Sequence, residues 1–224
     1  GDLKEGGIDR VQINLADGNR DGSYQDALNK LLSDGGAGLQ ADVSALRQEG
    51  LGVDTLDVGG AVDDASVGIS ESQAGALINA GLHFAADDTI TLNVGSGEGT
   101  HLANSLKELS KLGVDAVTMS AGVGDALSVD LGGFSADELK AGVQLSQVGF
   151  GDLDVTLNVA NLNELGVAAG MAGDLKADGI DGVQINLQPG VNNGTYQTAL
   201  NRLLSDGAGL QADVSALRQE GLGV

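Results

Sequence analysis

The chain has 224 residues, with 11 Lys or Arg against 32 Asp or Glu and a formal charge of −21, which argues against the basic surface needed to grip nucleic acid or anionic lipid. Apolar residues at 42% give it a core to bury, and with 2% aromatics, no Trp and no Cys that core is Leu, Val, Ile and Ala, without disulfides, Cys-bound zinc or a cysteine nucleophile. No run approaches the 18 or so apolar residues of a membrane span, so no membrane insertion is expected.

From the N-terminus, Val11 to Leu15 alternates apolar and polar residues, which predicts a strand with one buried face. Asp17-Gly18-Asn19-Arg20-Asp21-Gly22 follows, a D-x-N-x-D-G spacing that sets three oxygen ligands on one side of a tight loop, as in calcium loops. The position of the closing bidentate Glu is occupied by Leu28, with Asp26 nearby. Asp17, Asn19 and Asp21 are therefore candidate calcium ligands, the alternative being a turn in which Asp and Asn bond their own backbone. Calcium is the only cofactor the sequence suggests.

Helices are expected over Tyr24 to Leu32 and Val43 to Gln48, then a strand over Leu56 to Gly60. The acidic pairs Asp63-Asp64 and Asp87-Asp88, with Glu98, fall in loops, where carboxylates gather divalent ions or stay hydrated. Ser70 with Gln73, and Ser135 with Glu138, have the spacing of a capping box and mark two helix starts. Strands follow over Ile90 to Val94, Val117 to Ala121, Val155 to Val159 and Val183 to Leu187. Leu102, Leu106, Leu109 and Leu112 share a helical face that ends at Gly113, and a further helix is expected from Asn161 to Lys176, weakened by its glycines. The Gly-rich fragments at Gly95 to Gly99 and Gly122 to Ala126 complete no phosphate-binding motif. His83 and His101 are the two histidines; His101 with Ser105 one helical turn away is a thin basis for catalysis, so no enzymatic activity is expected.

The strands' outward positions form a polar ladder of Gln12, Asn14, Thr91, Asn93, Thr118, Thr156, Asn158, Gln184 and Asn186, the candidate ligand-binding face. A host, surface or matrix ligand could use it, or it could only keep the sheet wet.

Residues 1–53 recur at 173–224. GDLKEGGIDRVQINL at Gly1 to Leu15 answers GDLKADGIDGVQINL at Gly173 to Leu187, an offset of 172 (173 − 1), and AGLQADVSALRQEGLGV occurs identically at Ala37 to Val53 and Ala208 to Val224, an offset of 171 (208 − 37) because Gly36 has no counterpart. The chain thus carries one period of about 171 residues and the opening of another, read as a single continuous repeat domain over 1–224 whose first partners are neighbouring repeats of the same chain. A weaker internal match pairs the segments from Ser70 and Ser135 at an offset of 65 (135 − 70).

Strand, helix, strand makes parallel pairing the default, yet alternating strands can be covered on only one face. The architecture that reconciles the two is a right-handed α/β solenoid of strand-helix repeats, with an open parallel sheet on one side and helices on the other. Through LKELSKLGVDAVTM and LRQEGLGVDTLDV the chain resembles the leucine-rich-repeat class, and its acidic, Gly-rich, Cys-free repetition is similar to the extension regions of large bacterial secreted or surface, adhesin-like proteins. That resemblance implies a structural or adhesive segment of an extracellular or cell-surface protein.

Overall fold

A computed structural model describes residues 2–15, 24–59, 65–95, 101–119, 126–145, 147–186, 200–201 and 204–224. In chain order it contains α1 (Asp2–Glu5), β1 (Ile13–Leu15), α2 (Tyr24–Leu31), α3 (Ala37–Gln48), β2 (Thr55–Val58), β3 (Ser66–Ser70), α4 (Glu71–Ala80), β4 (His83–Phe84), β5 (Thr89–Val94), α5 (Leu106–Leu112), β6 (Ala116–Met119), β7 (Ala126–Asp130), α6 (Ala136–Ala141), β8 (Asp154–Val159), α7 (Leu162–Gly170), α8 (Ala172–Ala177), β9 (Ile180–Ile185) and α9 (Gly207–Gln219).

One joint recurs at the C-terminal ends of α3, α4, α5 and α9. At the end of α4 the Gly81 N–H donates to Ile78 O at 2.9 Å and the Leu82 N–H to Leu77 O at 3.0 Å, the paired bonds of a Schellman cap. That cap needs a left-handed residue, and Gly81 stands at φ 66°. The same two bonds close α3 at Gly50 and Leu51, α5 at Gly113 and Val114, and α9 at Gly221 and Leu222. The apolar residue after the glycine is buried each time, so Leu51, Leu82, Val114 and Leu222 anchor the start of the next extended segment. Helix starts are equally local: Ser70 and Ser135 each complete a capping box, with Gln73 and Glu138.

The described residues form two compact units, Gly1–Gly95 with Glu108–Ser120, and Ser96–Lys107 with Ala121–Val224; the division falls inside α5. The first holds two three-stranded sheets, ordered β1-β2-β4 and β3-β5-β6, and every pairing in them is parallel. Sequence neighbours β2 and β3 thus lie in different sheets, and a strand's partner comes 23 (Ser66 with Thr89, 89 − 66), 25 (Thr91 with Ala116, 116 − 91), 28 (Thr55 with His83, 83 − 55) or 43 residues later (Ile13 with Leu56, 56 − 13). In β5, Ile90, Leu92 and Val94 are buried while Thr89 and Asn93 are exposed, so one face of the strand is covered. Burying a leucine such as Leu92 contributes roughly 1.5 to 3 kcal/mol.

The second unit holds the parallel sheet β7-β8-β9, with Leu127, Val129, Val155, Leu157, Val159, Ile180 and Val183 buried together with Leu165, Ala168 and Leu175 of the helices. The helix expected over Asn161 to Lys176 is two helices, α7 and α8, and the break falls at Met171 (φ −115°, ψ 13°) rather than at a glycine. The α/β class and parallel pairing expected from the sequence are present. Strands β3, β4 and β7 went unanticipated, because SVGIS and ALSVD alternate over too few apolar positions to stand out between their flanking loops.

Candidate functional site

The nine ladder residues are spread over three sheets. Gln12 and Asn14 belong with the first, Thr91, Asn93 and Thr118 with the second, and Thr156, Asn158, Gln184 and Asn186 with the third. Gln12, Asn14, Asn93, Thr118 and Gln184 are exposed, Thr91, Thr156 and Asn186 half-buried, and Asn158 buried at 8% exposure. The rungs bond one another: the Thr118 hydroxyl donates to Asn93 Oδ1 at 3.0 Å, Gln12 Nε2 to Asp57 Oδ2 at 2.6 Å, and Gln184 Nε2 to Asn186 Oδ1 at 3.1 Å. Gln25 of α2 adds a rung of its own, accepting from the Gly68 N–H at 2.8 Å and donating to Gly68 O at 2.7 Å, so its carboxamide stands in for a neighbouring strand at the edge of β3. A Cβ at residue 68 would lie 2.4 Å from Asn93 Nδ2, so a side chain there would push the Asn93 carboxamide aside.

Carboxylates do a different job, one the sequence reading missed. Asp88 Oδ2 accepts from the Val58 N–H at 3.0 Å, Asp115 Oδ2 from the Ile90 N–H at 2.7 Å and Asp181 Oδ2 from the Val155 N–H at 3.1 Å. Each closes an open backbone donor at the end of a parallel strand. Gly113-Val114-Asp115 and Gly179-Ile180-Asp181 show the signal that could have found two of them: a helix-ending Gly, a buried apolar anchor, then Asp. The Val155 N–H, followed by Lys176, holds the Asp181 carboxyl below the usual range, whereas desolvation raises that of the 7%-exposed Asp88.

His101 lies before α5 rather than within it, and its partner is β7 rather than Ser105. Nδ1 sits 3.0 Å from Ser128 Oγ and Nε2 3.5 Å from Asp130 Oδ2, across the bridge between His101 and Ser128. Ser128 and Asp130 are two apart on one strand, so the same polar face presents both, and the side chains of His101 and Asp130 are 47% and 58% exposed. Serine, histidine and aspartate thus meet as a cross-strand rung in water. His83 is likewise exposed, 3.4 Å from Thr55 Oγ1 on the neighbouring strand.

The candidate calcium ligands Asp17, Asn19 and Asp21 lie outside the described residues, as do Asp63, Asp64 and Glu98. Among the described residues, no group of three or more His, Cys, Asp or Glu side chains is placed to hold a metal ion. No described helix is long and apolar enough to cross a membrane.

Among the described residues of the second unit, two of the clefts lie along its helices. One, about 550 Å³, runs between α6 and α7 and is lined by Leu139, Val143, Leu162, Val167 and Met171. The other, about 300 Å³, carries Gln144, Gln147, Asp174 and Asp178. Burial, with Asp174 one helical turn away, pushes the Asp178 carboxyl up to about 6. No family model matches the chain, and no curated protein is similar enough to count as a relative.

Proposed function

We propose that this chain is a structural extension segment of a long repetitive protein, extracellular or at the cell surface. In this reading its strand-helix repeats wind as a right-handed solenoid that sets reach and stiffness. The reading assigns it no catalysis, and its polar strand face serves chiefly to keep the sheet hydrated and non-adhesive.

One observation carries the proposal: the two copies of the repeated sequence build the same joint. In the first, the Val11 N–H donates to Gly52 O and the Gly52 N–H to Asp9 O, both at 2.8 Å; in the second, the Val183 N–H donates to Gly223 O at 2.7 Å and the Gly223 N–H to Asp181 O at 2.8 Å. Lys4 with Asp9 and Lys176 with Asp181 repeat the neighbouring ion pair. A sequence that recurs about 171 residues on and rebuilds its own pairing each time supports repetition as the chain's business. Acidity and the lack of Cys suit a hydrated surface segment.

Small-angle scattering on chains carrying one, two and three periods tests this. The expected result is a constant increment in maximum dimension per period. A radius of gyration growing only as about the 0.38 power of length, as for compact domains, would overturn the proposal.

A further inference from the structure

The two copies have the same sequence from Leu39 to Val53 and from Leu210 to Val224, yet they are finished differently. In the first copy α3 packs on α4, and Leu39 and Val43 are 5% and 1% exposed. Their counterparts on α9, Leu210 and Val214, are half-exposed. Arg47 donates to the carbonyls of Val53, Ala80 and Gly81, at 2.5 to 3.2 Å. Among the described residues its counterpart Arg218 donates to Val224 O at 3.1 Å, the equivalent of the Val53 bond. Val53 is 1% exposed and Val224 39%.

The strands tell the same story. β1 is paired with β2 in register Ile13–Leu56, Asn14–Asp57 and Leu15–Val58, and Gln12 donates to Asp57. β9 ends on Ile185, the counterpart of Ile13 in β1, and among the described residues its side away from β8 holds only the Gly182–Gly223 bridge. Gln184, counterpart of Gln12, turns instead to Asn186 on its own strand.

These differences meet in residues 54–81, which supply β2 and Asp57 to β1 and Gln12, α4 to α3, and the Ala80 and Gly81 carbonyls to Arg47. We propose that the face formed by the free edge of β9, Gln184, Arg218, Leu210 and Val214 is a docking surface for a strand-helix segment of the Asp54–Gly81 pattern. The occupant's strand extends the parallel ladder beside Ile185, with an Asp within reach of Gln184. Its helix covers Leu210 and Val214, and its helix-ending carbonyls accept from Arg218. The first copy already displays the complete interface, so the occupant's chemistry follows from continuity with that pairing. The inference rests on reading the chain as a stack of repeats.

The chain contains no Cys, so Val214→Cys creates a unique thiol. The experiment extends this variant after Val224 with a second copy of residues 54–81, or with the same residues scrambled. It then follows thiol labelling by iodoacetamide and amide exchange. The expected result is labelling of residue 214, and exchange at Ile185, each slowed about tenfold or more by the ordered extension and not by the scrambled one. Replacing the Asp at the added segment's counterpart of Asp57 by Ala should return part of that protection. Equal rates with the two extensions would overturn the proposal. If the extension disturbs folding, seen as lost protection at Leu157, the 54–81 peptide is added instead to the unextended Val214→Cys chain. Slowed labelling there supports the proposal, and unchanged labelling at about millimolar peptide, at or above ordinary weak binding, overturns it. A constant length increment per period alongside failed docking would sink this inference and leave the spacer reading standing.

Discussion

Residues 37–53 and 208–224 are identical in sequence and differ in what surrounds them. Both form a helix closed by the same Schellman bonds, so the local structure is intrinsic to the sequence. Burial is not: Leu39 and Val43 are inside and Leu210 and Val214 half outside, while Leu46 is half-buried and Leu217 fully buried. Leu39, Val43 and Leu46 are spaced i, i+4 and i+7 and so share one apolar face, which is packed to different depths in the two copies, beside α4 in the first and beside α7 in the second. A repeat of this kind is a unit whose fold is local and whose stability is lent by its neighbours.

The largest expected effect comes from truncating the same leucine in each copy. Leu39→Ala should cost about 2 to 4 kcal/mol, and Leu210→Ala no more than about 1 kcal/mol, since the cavity penalty requires a filled surround. Chemical denaturation of the two variants measures the difference, and equal losses would break the comparison.

Arg47→Ala should come next, at about 1 to 2 kcal/mol, because three carbonyls lose their donor. Arg218→Ala should fall within about 0.5 kcal/mol in the same denaturation assay.

Asp178 sharpens the contrast through pH, since its counterpart in the first copy is Gly6. Its carboxyl stands at about 6 in the folded chain, above the ordinary value of 3.8, so the native state holds that proton more tightly than the unfolded state does. Ionisation is then the disfavoured event: the penalty is absent below about pH 4, grows through about pH 6 and is complete above it. Asp178→Asn should raise stability at pH 7 by about 1 kcal/mol, after allowing for solvent screening of a partly exposed group, and change it little at pH 4. Melting temperatures at the two pH values check the sign, and a gain that grows on acidification would contradict it.

The smallest effect is expected on the polar face. Thr118→Ala removes one exposed rung to Asn93 and should change stability by no more than about 0.5 kcal/mol in thermal unfolding. A loss comparable to that of Leu39→Ala would mean the ladder carries stability.

Strands β5 and β8 were legible in the sequence because Ile90-Leu92-Val94 and Val155-Leu157-Val159 alternate over enough residues to set a period. The two capping boxes were legible because a cap is decided within four residues. Strands β3 and β7 were not, since they are short and gain their places from the partners β5 and β8. The aspartates that close strand ends were hidden for a similar reason: Asp88 serves a donor 30 residues away, and only the folded register brings the two together. His101 was read with its sequence neighbour Ser105, whereas its neighbours in space, Ser128 and Asp130, come from a strand the periodicity did not reveal.

Amide hydrogen exchange at four residues tests the central claim, that neighbours rather than sequence distinguish the copies. The Leu15 carbonyl accepts from the Gly59 N–H and the Val11 N–H donates to Gly52 O, so the odd-numbered residues of the first strand face β2; the Asn186 N–H donates to Val159 O, so the even-numbered residues of the second face β8. The account predicts slow exchange at Ile13 and Asn186 and fast exchange at their counterparts Ile185 and Asn14, a reciprocal pattern within one repeated sequence. Equal protection at Ile13 and Ile185, with Asn14 as slow as Asn186, would contradict it.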